Sequence, residues 1–214
     1  MQITLLTSTP NALRTAFTAI RTCYSPNGQG HIWNDYDNYV ANNNDHIRLV
    51  KQIVNHGHTS TLEHISFTFA IEGVSRSLLA QLTRHRIGFS YSVQSQRYVN
   101  ARRHNFDYVI PPSMNMYKGL PEAYVDYMIK AQQAYDSLIA IGIKPEDARY
   151  VLPNAATTNI TMTVNLRAFL DFYGKRNSET HAQWEIAELA DRLKSEVIKK
   201  EPWINELFGD TNPI

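Results

Sequence analysis

Between Glu72 and Asp107 the chain carries no acidic residue, yet it holds Arg76, Arg84, Arg86, Arg97, Arg102 and Arg103, with His85 and His104. The concentration is local, because the 214 residues together have a net charge of only +1. All six strong cations are arginines. A guanidinium is a planar fork that meets phosphate or carboxylate oxygens two at a time, whereas an ammonium is a point charge. Ser90, Tyr91, Ser92 and Ser95 lie among them and can complete a phosphate shell. The stretch is therefore expected to bind a phosphorylated ligand. The plainer reading, a solvated basic loop or a subunit contact, predicts no such ligand. Gln81, Arg84 and His85 fall at i, i+3 and i+4, which places them on one side of a helix.

A second class of function fits the same stretch. Interleaved Arg and Tyr between residues 84 and 103 suit a single-stranded RNA-binding module. A pI of 7.9 and the lack of an RNA-binding motif weigh against it. His56, His58 and His64 cluster, but no His-x-x-x-His helix or cysteine pair accompanies them, so no metal site is expected. Cys23 is the lone cysteine. It excludes an intramolecular disulfide, makes a reducing compartment the default, and is expected as a small buried hydrophobe. No apolar run approaches the ~20 residues that cross a bilayer. The opening residues lack the pattern of a signal peptide. A cytoplasmic protein without membrane or nucleic-acid partners is expected.

These residues need a scaffold. Residues 2–6 read as a strand and 10–22 as a helix with Leu13, Phe17 and Ile20 at helical spacing. Residues 24–43 are polar and expected as loop. Residues 45–56 form a helix with Ile47, Val50, Ile53 and Val54 on one stripe, capped by Gly57. Over 63–72, Ile65, Phe67, Phe69 and Ile71 alternate with His64, Ser66, Thr68 and Ala70, a strand with one buried face that Gly73 ends. A helix over 75–85 turns Leu78, Leu79 and Leu82 inward, and 87–98 are irregular, with Tyr91 a loop tyrosine. A long helix over 121–140 and a short one starting at Pro145 follow. Ile160, Met162 and Val164 alternate within a second long strand over 157–165. Helices over 166–173, stopped by Gly174, and over 179–199, with Ala182, Ile186, Leu189, Leu193 and Val197 as a stripe, complete the chain. Strands and helices do not alternate strictly. The expected class is α+β: a mixed or antiparallel sheet with several long helices, in a single domain over 1–214.

Arg84-His85-Arg86, eight residues, then Ser95-Gln96-Arg97 resembles the Arg-His-Arg…Ser-x-Arg signature of flavin-dependent thymidylate synthases. His58-TSTL-Glu63-His64 resembles that family's His-x4-Glu-His element before a strand. Arg149-YVLP resembles its Arg-x-x-Leu-Pro turn. Asn165-Leu166-Arg167, Arg176 and Ser178-ETHAQWEI resemble its C-terminal block. The four elements occur in the family's order across residues 45–204.

The resemblance implies methylation of dUMP to dTMP, with FAD as cofactor, NADPH as reductant and 5,10-methylenetetrahydrofolate as carbon donor. It implies a homotetramer whose subunits share active sites. dUMP is then held by Gln81, Arg84, Gln94, Ser95, Gln96 and Arg97, with Arg149 reaching in from a neighbouring subunit. FAD is gripped by His58, Ser60, Glu63, Arg84, His85, Arg86, Asn165 and Arg167. Arg176 is the expected catalytic residue, placed at the uracil O2/N3 edge beyond the Gly174 break. Fixed positive charge there makes C5 nucleophilic without an enzyme thiolate. Eight residues separate Arg86 from Ser95 where many relatives have seven, so a bulge is expected; Gln94 is preferred to Val93 as the nucleotide contact because Val93 has no donor. Asp171 stands where Asn or His is expected. It either accepts from the flavin N3–H or pairs with Arg167 at i, i+4.

Overall fold

The computed structural model describes residues 1–39, 43–99, 101 and 105–208. Arg102, Arg103 and His104 of the basic stretch, and residues 40–42 of the polar stretch, lie outside the described residues. Strands β1 (Gln2–Ser8), β2 (Ser66–Ser75), β3 (Phe89–Val93) and β4 (Thr157–Asn165) form a sheet of order β1-β2-β4-β3. Neighbouring strands are antiparallel. The Thr9 amide donates to the Ser66 carbonyl at 2.9 Å, where β1 ends and β2 begins. Thr68 faces Thr163 through their hydroxyls at 2.9 Å, and the Gly73 amide donates to Asn159 Oδ1 at 3.0 Å, so β2 and β4 run opposite ways. The Gln94 amide donates to the Asn159 carbonyl at 2.9 Å and the Asn165 amide to the Gly88 carbonyl at 3.0 Å, which fixes β3 against β4. The α+β expectation holds, in its antiparallel form.

The helices are α1 (Ala12–Thr22), α2 (Gln29–Asn34), α3 (Asn43–Asn55), α4 (Arg76–Leu82), α5 (Leu120–Ala140), α6 (Pro145–Ala148), α7 (Leu166–Arg176) and α8 (Trp184–Lys200). The chain resolves into two compact units. The first comprises Met1–Gln2, Ile71–Arg84 and Ser92–Thr161. In it α5 packs on α6 and on the short 3-10 turns Pro112–Met116 and Arg149–Val151, burying Met128, Ala131 and Tyr135. Ser75 caps α4 by accepting the Leu78 amide at 2.9 Å, satisfying one orphan donor of the first turn. Gln132 of α5 accepts from the Phe106 amide at 3.0 Å and donates to the Ala101 carbonyl at 3.2 Å.

The second unit comprises Ile3–Ala70, His85–Tyr91 and Met162–Ile214. Here α1 packs on α2, on α3 and on the 3-10 turn Thr59–His64; that turn packs on α7, and α7 on α8. Ile186, Leu189, Leu193 and Val197 of α8 are fully buried. Each such side chain contributes ~1.5–3 kcal/mol through removal of apolar surface from water.

Several local expectations are corrected. Residues 24–43 are not all loop: α2 and the 3-10 turn Tyr36–Asn38 form because Ile32 and Tyr36 drop into a buried cluster with Phe17. Gly73 does not end β2. It takes φ 68 and the strand runs on to Ser75, tied by the bond to Asn159. Helix α4 ends at Leu82, so Arg84 and His85 lie beyond it and do not share a helical side with Gln81. Residues 89–93 are strand, not irregular, and Tyr91 is half-buried within it. Gly174 does not stop α7, which continues to Arg176; the ~1 kcal/mol that glycine costs a helix interior is outweighed by packing. Helix α8 begins at Trp184, because the Gln183 side chain caps the amides of Glu185 and Ile186, leaving Ala182 outside the stripe. Cys23, at the end of α1, is exposed instead of buried.

Candidate functional site

In the first unit, the chain leaving β3 carries four expected nucleotide residues in a row. The Gln94 carbonyl accepts from Arg76 Nη2 at 3.1 Å, which anchors the strand end. Ser95 Oγ accepts the Arg97 amide at 3.2 Å, and its carbonyl accepts the Val99 amide at 2.9 Å, so the backbone turns tightly at Ser95-Gln96-Arg97. Arg97 pairs with Glu146 at 2.7 Å. The carbonyl of the same Glu146 accepts from Arg149 Nε at 2.9 Å, because α6 ends there and the 3-10 turn Arg149–Val151 begins. Arg149 repels Arg76. Burial first, and that repulsion second, push the Arg76 guanidinium below its ordinary range. Arg76 Nε is buried with no hydrogen-bond partner among the described residues. Arg97 is thus paired with the Glu146 carboxylate and Arg149 with the carbonyl of the same residue, while Arg76, close enough to feel Arg149, keeps one donor unsatisfied. Such a group has both the net charge and the spare N–H to take a phosphate. Gln81, near the end of α4, is half-buried, and Arg84 just beyond it is exposed.

From sequence, Arg76 is only a member of the acid-free stretch, with no individual role, and Glu146 carries none. Arg76 opens the acid-free stretch, and Glu146 stands three residues before Arg149, so the signals were spacing and absence of acid.

In the second unit, the turn Thr59–His64 presents His58, Ser60 and Glu63, all exposed. Glu63 Oε1 pairs with Arg167 at 2.5 Å. Asn165 caps α7, its side chain accepting the Ala168 amide at 2.9 Å, and that fixes Arg167 in the first turn. Asp171 pairs with Lys175 at 2.6 Å. The alternative i, i+4 pairing of Asp171 with Arg167 is therefore overturned: Arg167 is taken by Glu63.

Gly88 takes φ 74 in the turn between Arg86 and β3, and the Phe89 amide closes that turn on the Arg86 carbonyl at 3.3 Å. The left-handed residue thus stands immediately ahead of β3. Arg86 is exposed. Neither Arg84 nor Arg86 has a partner for its guanidinium among the described residues. Arg176, the last residue of α7, donates from Nε to His85 Nε2 at 3.1 Å. The His85 ring sits edge-on to Phe172 at 5.0 Å, and Tyr91 donates its hydroxyl to the His85 carbonyl at 2.8 Å. Burial pushes the Tyr91 phenol well above its usual range, so it stays a donor.

The expected residues therefore sort by unit. Gln81, Arg84, Gln94, Ser95, Gln96, Arg97 and Arg149 belong to the first; His58, Ser60, Glu63, His85, Arg86, Asn165, Arg167, Asp171 and Arg176 belong to the second.

A sequence model of the family described as thymidylate synthase complementing protein matches residues 4–203. A flavin-dependent thymidylate synthase of Clostridium tetani is 40% identical over 225 residues, covering 98% of this chain and 87% of that protein. One from Geobacter sulfurreducens is 40% identical over 213 residues, covering 100% of this chain and 88% of its own length. The crystal structure of a flavin-dependent thymidylate synthase from Helicobacter pylori, complexed with FAD and dUMP, superposes with a TM-score of 0.75 at 26% identity, covering 98% of this chain and 99% of that one. The RNA-binding reading of residues 84–103 is not supported, since the family match runs straight through that stretch. With its match spanning nearly the whole length, the chain belongs to the flavin-dependent thymidylate synthase family.

Proposed function

We propose that the chain makes dTMP from dUMP, taking its carbon from 5,10-methylenetetrahydrofolate and its hydride from FAD that NADPH has reduced. The observation that carries this reading is the pairing of Arg97 and Arg149 with Glu146, through its carboxylate and its carbonyl, beside a half-buried Arg76 that feels Arg149 and keeps its Nε unsatisfied. A nucleotide monophosphate neutralises that excess charge. Arg97 is exposed and Glu146 only half-buried, so their pair contributes about 1 kcal/mol or less, and exchanging the carboxylate for a phosphate costs little. Gln81, Arg84, Gln94, Ser95 and Gln96 supply the remaining donors to dUMP.

We assign FAD to His58, Ser60, Glu63, Arg84, His85, Arg86, Asn165 and Arg167, and keep Asp171 as an acceptor for the flavin edge. The donor set fits the group: a pyrophosphate calls for cations and hydroxyls, and Arg84 and Arg86 are exposed and unpaired among the described residues. Bound and reduced, FAD supplies the hydride that completes the methyl group. Arg176 holds the uracil O2/N3 edge, stabilises the anionic ring and lets C5 attack the folate methylene. No thiol takes part, and Cys23 stands apart at the end of α1.

Residues 1–214 act as one synthase domain, in the cytoplasm, as a homotetramer with shared sites. Support for assembly comes from the first unit, where Met116, Tyr117, Ile141 and Tyr150 are 78%, 63%, 76% and 84% exposed, an apolar surface that subunit contacts would cover. The test is spectroscopic. Purified protein supplied with FAD is yellow, NADPH bleaches the flavin band without oxygen, and dUMP with methylenetetrahydrofolate then yields dTMP. Protein that takes up no FAD defeats the reading.

A further inference from the structure

Arg176 is half-buried at the last turn of α7, and one edge of its guanidinium is already engaged: Nε–H donates to His85 Nε2 at 3.1 Å. An arginine can only donate, so His85 must offer a lone pair there. The imidazole is thus unprotonated at Nε2 in this arrangement. With Nε committed, the terminal Nη1/Nη2 pair is the part of the fork left for a planar acceptor, and it has no partner among the described residues.

His85 is itself held from three directions. Phe172 meets its ring edge-on at 5.0 Å, Phe89 lies against it at 6.0 Å, and Tyr91 pins its carbonyl at 2.8 Å. An arginine side chain has four rotatable bonds whose freedom is lost when it is fixed. A held acceptor at Nε removes much of that freedom before substrate arrives.

We propose that His85 is the positioning residue for Arg176: its Nε2 fixes the guanidinium by the Nε edge so that the Nη pair presents as a two-donor fork to the pyrimidine. This rests on the assignment of Arg176 to the uracil edge, and it gives His85 a role beyond the flavin contact proposed above. The ring nitrogen at Nε2 serves the arginine.

The test uses the FAD-loaded enzyme and reads dUMP affinity by titration calorimetry alongside kcat and KM. His85→Leu removes the acceptor and keeps an apolar side chain against the two phenylalanines. His85→Gln restores an oxygen acceptor at the Nε2 position. We expect His85→Leu to lose dUMP affinity or kcat by about 10-fold or more, the scale of one hydrogen bond to a charged group. His85→Gln should recover to within ~3-fold of wild type. In an Arg176→Ala background, His85→Leu should have no further effect on dUMP affinity, because the two act as a unit.

Equal losses in His85→Leu and His85→Gln overturn the proposal, as does a His85→Leu loss that persists undiminished on Arg176→Ala. Wild-type behaviour in both single variants overturns it too. If His85→Leu does not fold, His85→Gln and its combination with Arg176→Ala carry the decision. Failure of the underlying assignment looks different: dUMP would then bind equally well to wild type and to Arg176→Ala.

Discussion

The Asn165 amide reaches the Gly88 carbonyl at 3.0 Å, and a Cβ on Gly88 would lie 2.6 Å from Asn165 Nδ2 and 2.6 Å from Ala168 Cβ. The turn bearing Arg86 and the first turn of α7 bearing Arg167 are thus set side by side with no room for a side chain. With φ at 74, residue 88 is also in a conformation that only glycine adopts cheaply.

Gly88→Ala is therefore expected to destabilise the protein by at least ~1–3 kcal/mol, combining overpacking with backbone strain. That is a fall of several degrees in Tm, with weaker FAD uptake at equal protein concentration. Thermal unfolding with and without FAD measures both. An unchanged Tm in the Gly88→Ala variant would contradict the packing described here.

Arg76→Ala should weaken dUMP binding by about 10-fold or more, on the scale of a charge-assisted hydrogen bond, while the bound flavin spectrum stays as in wild type. Equilibrium titration of dUMP into the FAD-loaded protein is the check. Unchanged affinity removes Arg76, and the buried Nε that motivated it, from the nucleotide group.

Much of this was legible in the residues. The alternation in β2 and β4 and the stripe of α8 were visible because burial on one face imposes periods of two and 3.6. Phe67, Phe69 and Ile71, and likewise Ile160, Met162 and Val164, are all buried as the pattern requires. The family resemblance singled out the arginines proposed as ligand contacts, Arg76 excepted. What escaped was set by contacts distant in sequence. Gly73 and Gly174 read as breaks, but tertiary bonds and packing carried β2 and α7 through them. Helix α2 hides in a polar stretch because only Ile32 within it needs burial. The partners of Arg167 and Arg176 could not be read, since Glu63 and His85 lie 104 and 91 residues away from them.

His46 of α3 gives the protein an acid-sensitive point. It is 2% exposed, stacks on Tyr36 at 3.9 Å and meets Phe17 edge-on at 4.5 Å, with no hydrogen bond to either ring nitrogen among the described residues. Burial pushes its pKa below the ordinary 6.5, and the Tyr36 backbone, Asp37 and Asp45 offset this in lesser measure. The unfolded chain therefore takes up the proton first as pH falls. The stability that neutral His46 contributes is whole above pH 6.5 and is lost progressively below it. Tm measured from pH 7.5 to 5 should fall more steeply for wild type than for His46→Phe. Parallel curves would contradict the assignment.

Arg176→Ala should retain yellow, NADPH-reducible flavin yet lose dTMP synthesis by ~100-fold or more, the cost of removing one charge-stabilising group from a reacting centre. Arg176→Lys should recover little, because an ammonium cannot offer two donors in a plane. Anaerobic flavin reduction and product formation, followed in the same sample, separate the two effects. Full activity in Arg176→Ala would remove the residue from the reaction.

Activation of the pyrimidine by fixed guanidinium charge, with flavin and without sulfur, is tested most directly by the turnover of Cys23→Ala. Its dTMP formation should be measured with FAD present and after FAD has been stripped. We expect wild-type rates with FAD and none without it. A folded, FAD-loaded Cys23→Ala enzyme that makes no dTMP, or one that works equally well stripped of FAD, would contradict the account.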